Sequence, residues 1–257
     1  MFNRLCSSKD VINIIRMKSN TEKINSTFTK NTFLYFKNAE KNQNNKDWFL
    51  KNKDVYLDHV KSPFENLLVD INKKIQKDIP DLRIDSKLIT RPTRPSNKAS
   101  EGLVKNMSYA TITEKRTSLF EWNPGIHIQF GHDLEENFIG CGLYMVSGRQ
   151  ISLLRNAIAN DFETISKILN SKKLKNVWGS LLGDMYVRPP KGFRTDEPYS
   201  KLLMHKQFYL HRQYKISEIN SKSFSTLVIN DLKLILPFFE WLRHQVGTYS
   251  RKPSVSF

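Results

Sequence analysis

Residues 108–117 (SYATITEKRT) and residues 125–131 (GIHIQFG) alternate apolar and polar side chains. An extended strand turns successive side chains to opposite faces, so this alternation predicts two half-buried β-strands. Residues 137–146 (NFIGCGLYMV) are more apolar, and their glycines indicate close packing or a bulge in a further strand. Residues 121–125 and 131–136 have the composition of turns. The centre of the chain therefore predicts a mostly antiparallel sheet.

Helical periodicity flanks this centre on both sides. From about Lys46 to Pro80, apolar residues recur at spacings of three and four, and Pro63 is expected to kink this region or to start a new helix. The same period returns at Gln150 and again in residues 223–246. Helices segregated from strands are typical of α+β domains. We predict an α+β fold with N-terminal helices, a central mostly antiparallel sheet and C-terminal helices.

Three connecting segments also carry structural predictions. Residues 82–95 (LRIDSKLITRPTRP) have strand character before their prolines, and residues 179–186 (GSLLGDMY) predict a strand pair or a bend. In residues 188–206, Pro-Pro-Lys-Gly predicts a turn, and Asp196 is expected to cap a helix with Pro198 in its first turn.

The domain organisation follows from these elements. We expect residues 1–29 to be a poorly ordered extension, residues 30–247 to form a single α+β domain, and residues 248–257 to be a tail. A length of 257 residues with 39% hydrophobic residues is sufficient for one large domain with a buried core.

The chain is strongly basic, with a formal net charge of +16. Residues 101–150 hold four Lys/Arg and six Asp/Glu, against 41 and 25 in the whole chain, so the excess lies in the flanks. A basic surface attracts nucleic acid, anionic lipid or acidic proteins, and it also favours solubility. The charge alone leaves these alternatives open.

The two cysteines, Cys6 and Cys141, have no metal-ligand or redox spacing. We predict free thiols, a buried Cys141 and a reducing, cytoplasmic compartment. No run of apolar residues approaches the length of a membrane span, and we therefore predict none.

The order of several segments resembles the bacterial conserved-hypothetical proteins grouped as domain of unknown function 2461. The resemblance covers about residues 30–246 and implies a fold but no particular reaction. Residues 41–64, 137–145, 151–158, 188–209 and 236–242 carry it, and they include Arg155, Lys191 and Lys206.

One segment departs from the pattern of that family, which reads Arg-x-x-Arg-Asp-x-Arg-Phe followed by Lys-x-x-Tyr. Arg91 and Arg94 are kept, but Pro95 replaces the Asp of the pattern. Asn97 and Lys98 replace its last Arg and its Phe. The resemblance identifies Lys105 and Tyr109 as the displaced Lys and Tyr, and the chain as a divergent member with a lost or remodelled cluster.

Residues 89–105 and residues 188–212 are two basic segments that together predict an anion site. Guanidinium groups that lie close together bind phosphate or carboxylate through paired hydrogen bonds, although a loop of this kind can also be a solvated basic surface. We propose from the sequence that both segments line one concave basic surface. The candidate anion-binding residues are Arg91, Arg94, Lys98, Lys105, Tyr109, Arg155, Lys191, Lys206 and Arg212.

His127 and Asp133 are the candidates for acid–base catalysis, although buried, hydrogen-bonded histidines are common in ordinary cores. The sequence contains no P-loop, dinucleotide fingerprint, His-Glu-x-x-His or Gly-x-Ser-x-Gly motif. We predict no metal site and no cofactor.

The leading functional hypothesis is a protein that binds an anionic ligand, for example nucleic acid, through its Arg- and Lys-bearing loops. A second hypothesis is a phosphate-ester hydrolase such as a nuclease, and whether the protein is an enzyme stays open. A third is a structural or protein-interaction component, whose protein partners the sequence does not identify.

Overall fold

A computed structural model describes residues 27–114, 122–188, 190–194 and 196–247, without the side chains of Ser96 and Ala99. The predictions for Cys6, for residues 1–26 of the extension and for residues 248–257 of the tail lie outside these ranges. The division of the chain into one domain and two terminal segments stays a prediction.

The chain begins with helices that pack against one another. Thr29 caps the first helix, since its hydroxyl accepts a hydrogen bond from the backbone N–H of Asn31 at 3.3 Å. A π-helical turn, Leu57–Lys61, leads into the last helix of this group, where Pro63 lies in the first turn. The chain was expected to kink at Pro63 or to start a new helix there; instead the helical backbone continues through the π-helical turn into the helix that contains Pro63. The helices are α1 Lys30–Lys41, α2 Lys46–Lys51, α3 Lys53–Tyr56 and α4 Ser62–Ile75.

The sheet has four antiparallel strands in the order β1-β2-β3-β4. The first three are consecutive in the chain, whereas β4 returns to pair with β3 after a long helical connection. The strands are β1 Met107–Thr113, β2 Gly125–Gly131, β3 Phe138–Leu143 and β4 Phe208–Gln213.

The remaining helices come before and after β4. Ser147 caps the first of them by accepting a hydrogen bond from the backbone N–H of Gln150. The last helix is 23 residues long and contains Pro237. These helices are α5 Gly148–Asn160, α6 Phe162–Leu169, α7 Lys172–Trp178, α8 Ser200–Leu203, α9 Ile216–Ile219 and α10 Phe224–Val246.

The core lies between the helices and one face of the sheet. Alternate strand residues such as Ile128 and Ile139 are fully buried there. Phe64 of α4 lies 5.3 Å from Phe130 of β2, and Phe224 of α10 lies 5.8 Å from the same ring, measured between ring centroids. Burial of these apolar side chains is the main stabilising contribution. No helix of the described residues covers the other face of the sheet, whose residues such as Tyr109, His127 and Tyr209 are only partly buried.

The predicted fold class is confirmed, with helices before and after an antiparallel sheet in the chain. Three other local predictions are wrong. Residues 82–95 form isolated bridges and a short 3₁₀ turn because their prolines interrupt a ladder. Asp196 does not cap α8, which starts after Tyr199 without a side-chain cap. The helix expected up to Lys206 ends at Leu203, and β4 follows.

Candidate functional site

The uncovered face of the sheet, which we call the open face, carries a row of four paired residues. Antiparallel pairing joins Thr111 to His127, His127 to Gly140, and Gly140 to His211. Paired residues on adjacent strands point to the same face. The two imidazoles therefore flank a glycine, and the space above Gly140 is not filled by a side chain of its own.

A cavity of about 520 Å³ lies on this face. Its volume is in the range of small-molecule sites. The glycines of β2 and β3 expose the strand backbone to it, and aromatic and imidazole rings surround them. The lining residues are Thr111, Trp122, Asn123, Gly125, His127, Phe138, Gly140, Cys141, Gly142, Leu143, Tyr144, Met145, Tyr209 and His211.

Two of these glycines differ in what they would tolerate. Gly142 has φ +139°, and a Cβ atom there would lie 2.1 Å from the carbonyl oxygen of Phe208. Gly142 is therefore required by the backbone. At Gly140 the nearest atom to an added Cβ is a ring carbon of Phe138 at 3.7 Å, an ordinary contact. A side chain at Gly140 would instead extend into the cavity.

His127 is held in a fixed orientation at the wall of the cavity. Its Nδ1 lies 2.9 Å from the Thr111 hydroxyl, and its Nε2 lies 3.4 Å from Oε1 of Gln129. The ring also contacts Tyr109 and Phe138, with centroid distances of 5.1 and 5.8 Å. Burial lowers the pKa of His127, and the hydrogen bond to Gln129 opposes this only in part. The neutral imidazole is thus favoured, which suits stacking or proton acceptance.

Exposed apolar side chains form the rim of the cavity. Trp122, Tyr144 and Met145 are 45%, 67% and 56% exposed. Tyr144 packs edge-on against Tyr209, with ring centroids 5.3 Å apart. Large apolar groups gathered around a cavity are typical of a binding site.

Cys141 lies in β3 beneath the cavity and is 1% exposed. Burial raises the pKa of its thiol. The predictions that Cys141 is free and buried are both confirmed. A thiol in this setting is unsuited to nucleophilic attack.

Residues 91–105, which we call the basic loop, lie next to the open face. Lys105 Nζ lies 5.4 Å from the centre of the Tyr109 ring. Burial, and then the charges of Arg94 and Lys98, lower the pKa of Lys105, so three of the predicted cations lie within electrostatic reach of one another. Arg91 is exposed in the same loop.

Arg94 also has a structural role in the basic loop. Its Nη1 donates a hydrogen bond of 2.9 Å to the carbonyl oxygen of Gly102, and its Nε lies 3.6 Å from Glu101. The backbone N–H of Arg94 bonds to the carbonyl of Leu103 at 2.8 Å. These bonds close the loop, with Lys98 in the 3₁₀ turn at its tip and Lys105 on its returning arm.

Arg155 and Lys206 meet at a different place, beside Tyr186. The Arg155 guanidinium carbon and Lys206 Nζ lie 5.0 and 5.1 Å from the centre of the Tyr186 ring. Lys206 precedes β4 by two residues, so this pair lies at the end of the sheet where β4 begins. The sequence placed both residues among the candidates but did not single out Tyr186.

Arg212 and Lys191 belong neither to the basic loop nor to the pair of cations beside Tyr186. Arg212 lies 2.8 Å from a carboxylate oxygen of Glu218 and 3.4 Å from one of Asp231. Its donors are therefore occupied within the fold. Lys191 is exposed in a turn, where Gly192 has φ +89°.

His127 and Asp133 do not share a site. The strand from His127 to Gly131 alone spans about 13 Å, and Asp133 follows in the turn beyond it. Asp133 instead lies 3.1 Å from Nδ1 of His132, whose Nε2 is 3.6 Å from Glu40. A nucleophile or base at His127 would need another partner.

Glu40, His132 and Asp133 could offer ligand atoms to a cation, since these atoms lie within 4.8 Å of one another. Both nitrogens of His132 already lie near a carboxylate. Contacts among these three side chains therefore account for their arrangement as well as a bound cation would. The prediction that the protein has no metal site stays a prediction.

Sequence reasoning missed the cavity because it missed β4. Tyr209 and His211 of that strand line the cavity, and Gly140 becomes a gap only when both neighbouring strands are in place. The signal was available: Phe208, Leu210 and Arg212 alternate with Tyr209 and His211 in the manner of a half-buried strand.

Within the described ranges, the protein has no helix that combines the length and the apolar composition needed to cross a membrane.

Comparison with known proteins gives one match. No curated protein and no solved structure matches the chain. The family described as conserved hypothetical protein (DUF2461) matches residues 31–241, which is most of the chain and includes the sheet, the basic loop and the cavity. The resemblance read from the sequence is therefore confirmed, and the chain belongs to the DUF2461 family of conserved hypothetical proteins.

Proposed function

We propose that the protein binds single-stranded nucleic acid across the open face of its sheet, with one base in the cavity. The observation that carries this proposal is the combination of a glycine-floored aromatic cavity with a cluster of cations beside it. Tyr109 connects the two, because its ring contacts both His127 and Lys105.

The lining of the cavity favours a flat ring as the group that binds in it. Gly125, Gly140 and Gly142 leave the backbone open to close approach, and the surrounding rings offer stacking surfaces. Base–aromatic stacking stabilises complexes of single strands by about 1–3 kcal/mol per base.

The charges support a ligand whose ring is accompanied by phosphates. Among the described residues, those that line the cavity include no Lys or Arg, whereas Lys105, Arg94 and Lys98 gather outside it. A nucleic acid strand has this distribution, with an uncharged base and an external phosphate. The net charge of +16 favours the same class of ligand.

The cavity favours an unpaired strand over a duplex. A base can enter it only after leaving its stack, which a single strand permits at much lower cost than a duplex. Phosphate contacts alone would bind both forms.

The test is a titration of the full-length protein with fluorescent single-stranded and duplex DNA and RNA at low and at physiological salt. We expect single strands to bind at least about tenfold more tightly than duplexes of equal length, with an affinity that falls steeply as salt rises. Absence of binding at low salt, or equal affinity for duplexes, would overturn the proposal.

Two other functions are decided by the same experiment. Cleavage of the oligonucleotides in the presence of Mg²⁺, checked on a gel, would support a phosphate-ester hydrolase. Absence of both binding and cleavage would support a protein-interaction component, for which the exposed rim residues Trp122, Tyr144 and Met145 offer an apolar contact surface. We propose the cytoplasm as the site of action because Cys141 is a free thiol.

A further inference from the structure

Arg155 has a hydrogen-bonding group that the fold leaves unused. Its Nε donates to the carbonyl oxygen of Leu203 at 3.1 Å, which anchors the side chain from α5 to the end of α8. Its Nη2 is buried and has no hydrogen-bond partner among the described residues. A buried donor without an acceptor is destabilising, so an acceptor from a ligand would stabilise this arrangement.

Lys206 is brought to the same place by a short backbone ladder. Met185 and His205 form an isolated antiparallel bridge. The backbone N–H of Tyr186 donates to Met204 at 2.8 Å, and that of Lys206 donates to Asp184 at 2.7 Å. The ladder places Lys206 next to Tyr186, so that one ring contacts both cations.

The charges of Arg155 and Lys206 are not compensated within the described residues, since neither side chain forms an ion pair there. Other partly buried arginines of the protein are compensated. Arg212 faces Glu218 and Asp231, and Arg243 faces Glu114 and Glu240. Two uncompensated cations that contact one tyrosine ring favour the binding of an anion beside them.

We propose that Arg155, Lys206 and Tyr186 form a binding site for a phosphate group. A guanidinium edge matches two phosphate oxygens, an ammonium group neutralises the remaining charge, and the tyrosine hydroxyl can donate a further hydrogen bond. The site requires only a phosphate and does not depend on a base in the cavity. A free phosphate or the terminal phosphate of a larger ligand would fit the same chemistry.

The site is near the cavity in the chain, because Lys206 shortly precedes Tyr209, which lines the cavity. Lys206 is three residues from Tyr209, a separation of about 10 Å along an extended chain. If the proposed function holds, this site would bind the phosphate at one end of the strand.

The test is a titration of the ¹⁵N-labelled full-length protein with inorganic phosphate at constant ionic strength. The Nε–Hε signal of Arg155, identified by its loss in Arg155→Lys, is followed by NMR. We expect a saturable shift of this signal and a Kd that rises at least about fivefold in Lys206→Met. Lys206→Met is suitable because the Lys206 side chain donates no hydrogen bond to any residue that the structure describes.

Lys191→Met is the matched control, because it removes the same charge from an exposed lysine of the neighbouring turn. It should leave the phosphate Kd unchanged. An Arg155 signal that does not move, or an equal loss of affinity in Lys191→Met, would overturn the site.

A second arm distinguishes the source of the phosphate and separates this site from the proposed function. A 5′- or 3′-phosphorylated oligonucleotide that binds more tightly than its unphosphorylated form, with the difference lost in Lys206→Met, indicates a terminal phosphate. Inorganic phosphate that binds while no oligonucleotide does would support the site and contradict the nucleic-acid proposal. Oligonucleotide binding, together with an Arg155 signal that does not shift when phosphate is added, would support the nucleic-acid proposal and contradict the phosphate site.

Discussion

His127 contacts Tyr109 with their ring centroids 5.1 Å apart, and this contact joins the cavity to the basic loop. Lys105 Nζ lies 5.4 Å from the centre of the same Tyr109 ring. A ligand that fills the cavity therefore meets the first cation about one ring beyond His127. This short distance is the reason that a base and its neighbouring phosphate are a better fit than either group alone.

Lys105→Met should weaken the binding of single strands by about three- to tenfold and reduce the slope of log affinity against log salt by about 0.7. The physical reason is the loss of one phosphate contact. The measurement is a fluorescence anisotropy titration at several salt concentrations.

Lys74→Met is the control for this prediction. Lys74 is exposed on α4, the helix whose Phe64 packs against the covered face of the sheet. An effect of Lys74→Met as large as that of Lys105→Met would show that net charge, not position, governs binding.

Gly142→Ala should lower the free energy of unfolding by about 3 kcal/mol or more, because the new Cβ would meet the backbone of Phe208 in a conformation that only glycine adopts easily. Gly140→Ala should change it by less than about 1 kcal/mol, since its nearest contact is ordinary. Urea denaturation of both variants checks this pair. Similar losses in the two variants would contradict the account of the cavity floor.

The fold class could be predicted from the sequence because its signals are local. Strands such as residues 125–131 alternate with period two, and the helices around them repeat with period 3.6. The strand β4 was missed because it begins only two residues after Lys206, and the preceding Leu202, Leu203 and Met204 have a helical pattern that ends in a single turn.

The candidate site could be predicted only in part. Arg94, Lys98 and Lys105 are close in the sequence, so their clustering follows from one loop. The pairing of Arg155 with Lys206 depends on a contact across 51 positions, and its signal was the resemblance to the family. The ion pairs of Arg212 with Glu218 and Asp231 depend on the positions of α9 and α10. No local pattern around Arg212 indicates these ion pairs.

The stability of the protein should decrease as the pH falls below about 6.5, the ordinary pKa of histidine. Burial lowers the pKa of both His127 and His205 in the folded protein. Between these lowered values and the ordinary value, the unfolded chain binds more protons than the folded one, so the free energy of unfolding rises with pH. Each histidine contributes a slope of at most about 1.4 kcal/mol per pH unit.

Urea denaturation at about pH 5 and about pH 7.5 measures this dependence, in a range above the ordinary pKa of carboxyl groups. The variant His127→Gln should lose less stability on acidification than the natural protein, and the double variant with His205→Gln should lose less again. Equal pH dependence in all three proteins would contradict the burial of these imidazoles.

Arg212→Met should lower the free energy of unfolding by about 3 kcal/mol, because it leaves the buried carboxylate of Asp231 without its cation. Asp231 also accepts a hydrogen bond from the Tyr214 hydroxyl at 2.9 Å. Adding Asp231→Asn should recover part of the loss, since the uncompensated charge is then removed. A loss below about 1 kcal/mol in Arg212→Met would mean that the ion pairs are not structural.

The most direct test of the central claim is the affinity of Gly140→Leu for a single-stranded oligonucleotide at physiological salt. A Cβ atom at this position would lie 3.7 Å from its nearest neighbour, the leucine side chain is expected to extend into the cavity between His127 and His211, and every cation stays in place. The account predicts a loss of at least about tenfold in affinity, with a circular dichroism spectrum and melting temperature close to those of the natural protein. Unchanged affinity in a folded Gly140→Leu protein would contradict it, because the nucleic acid would then bind without using the cavity.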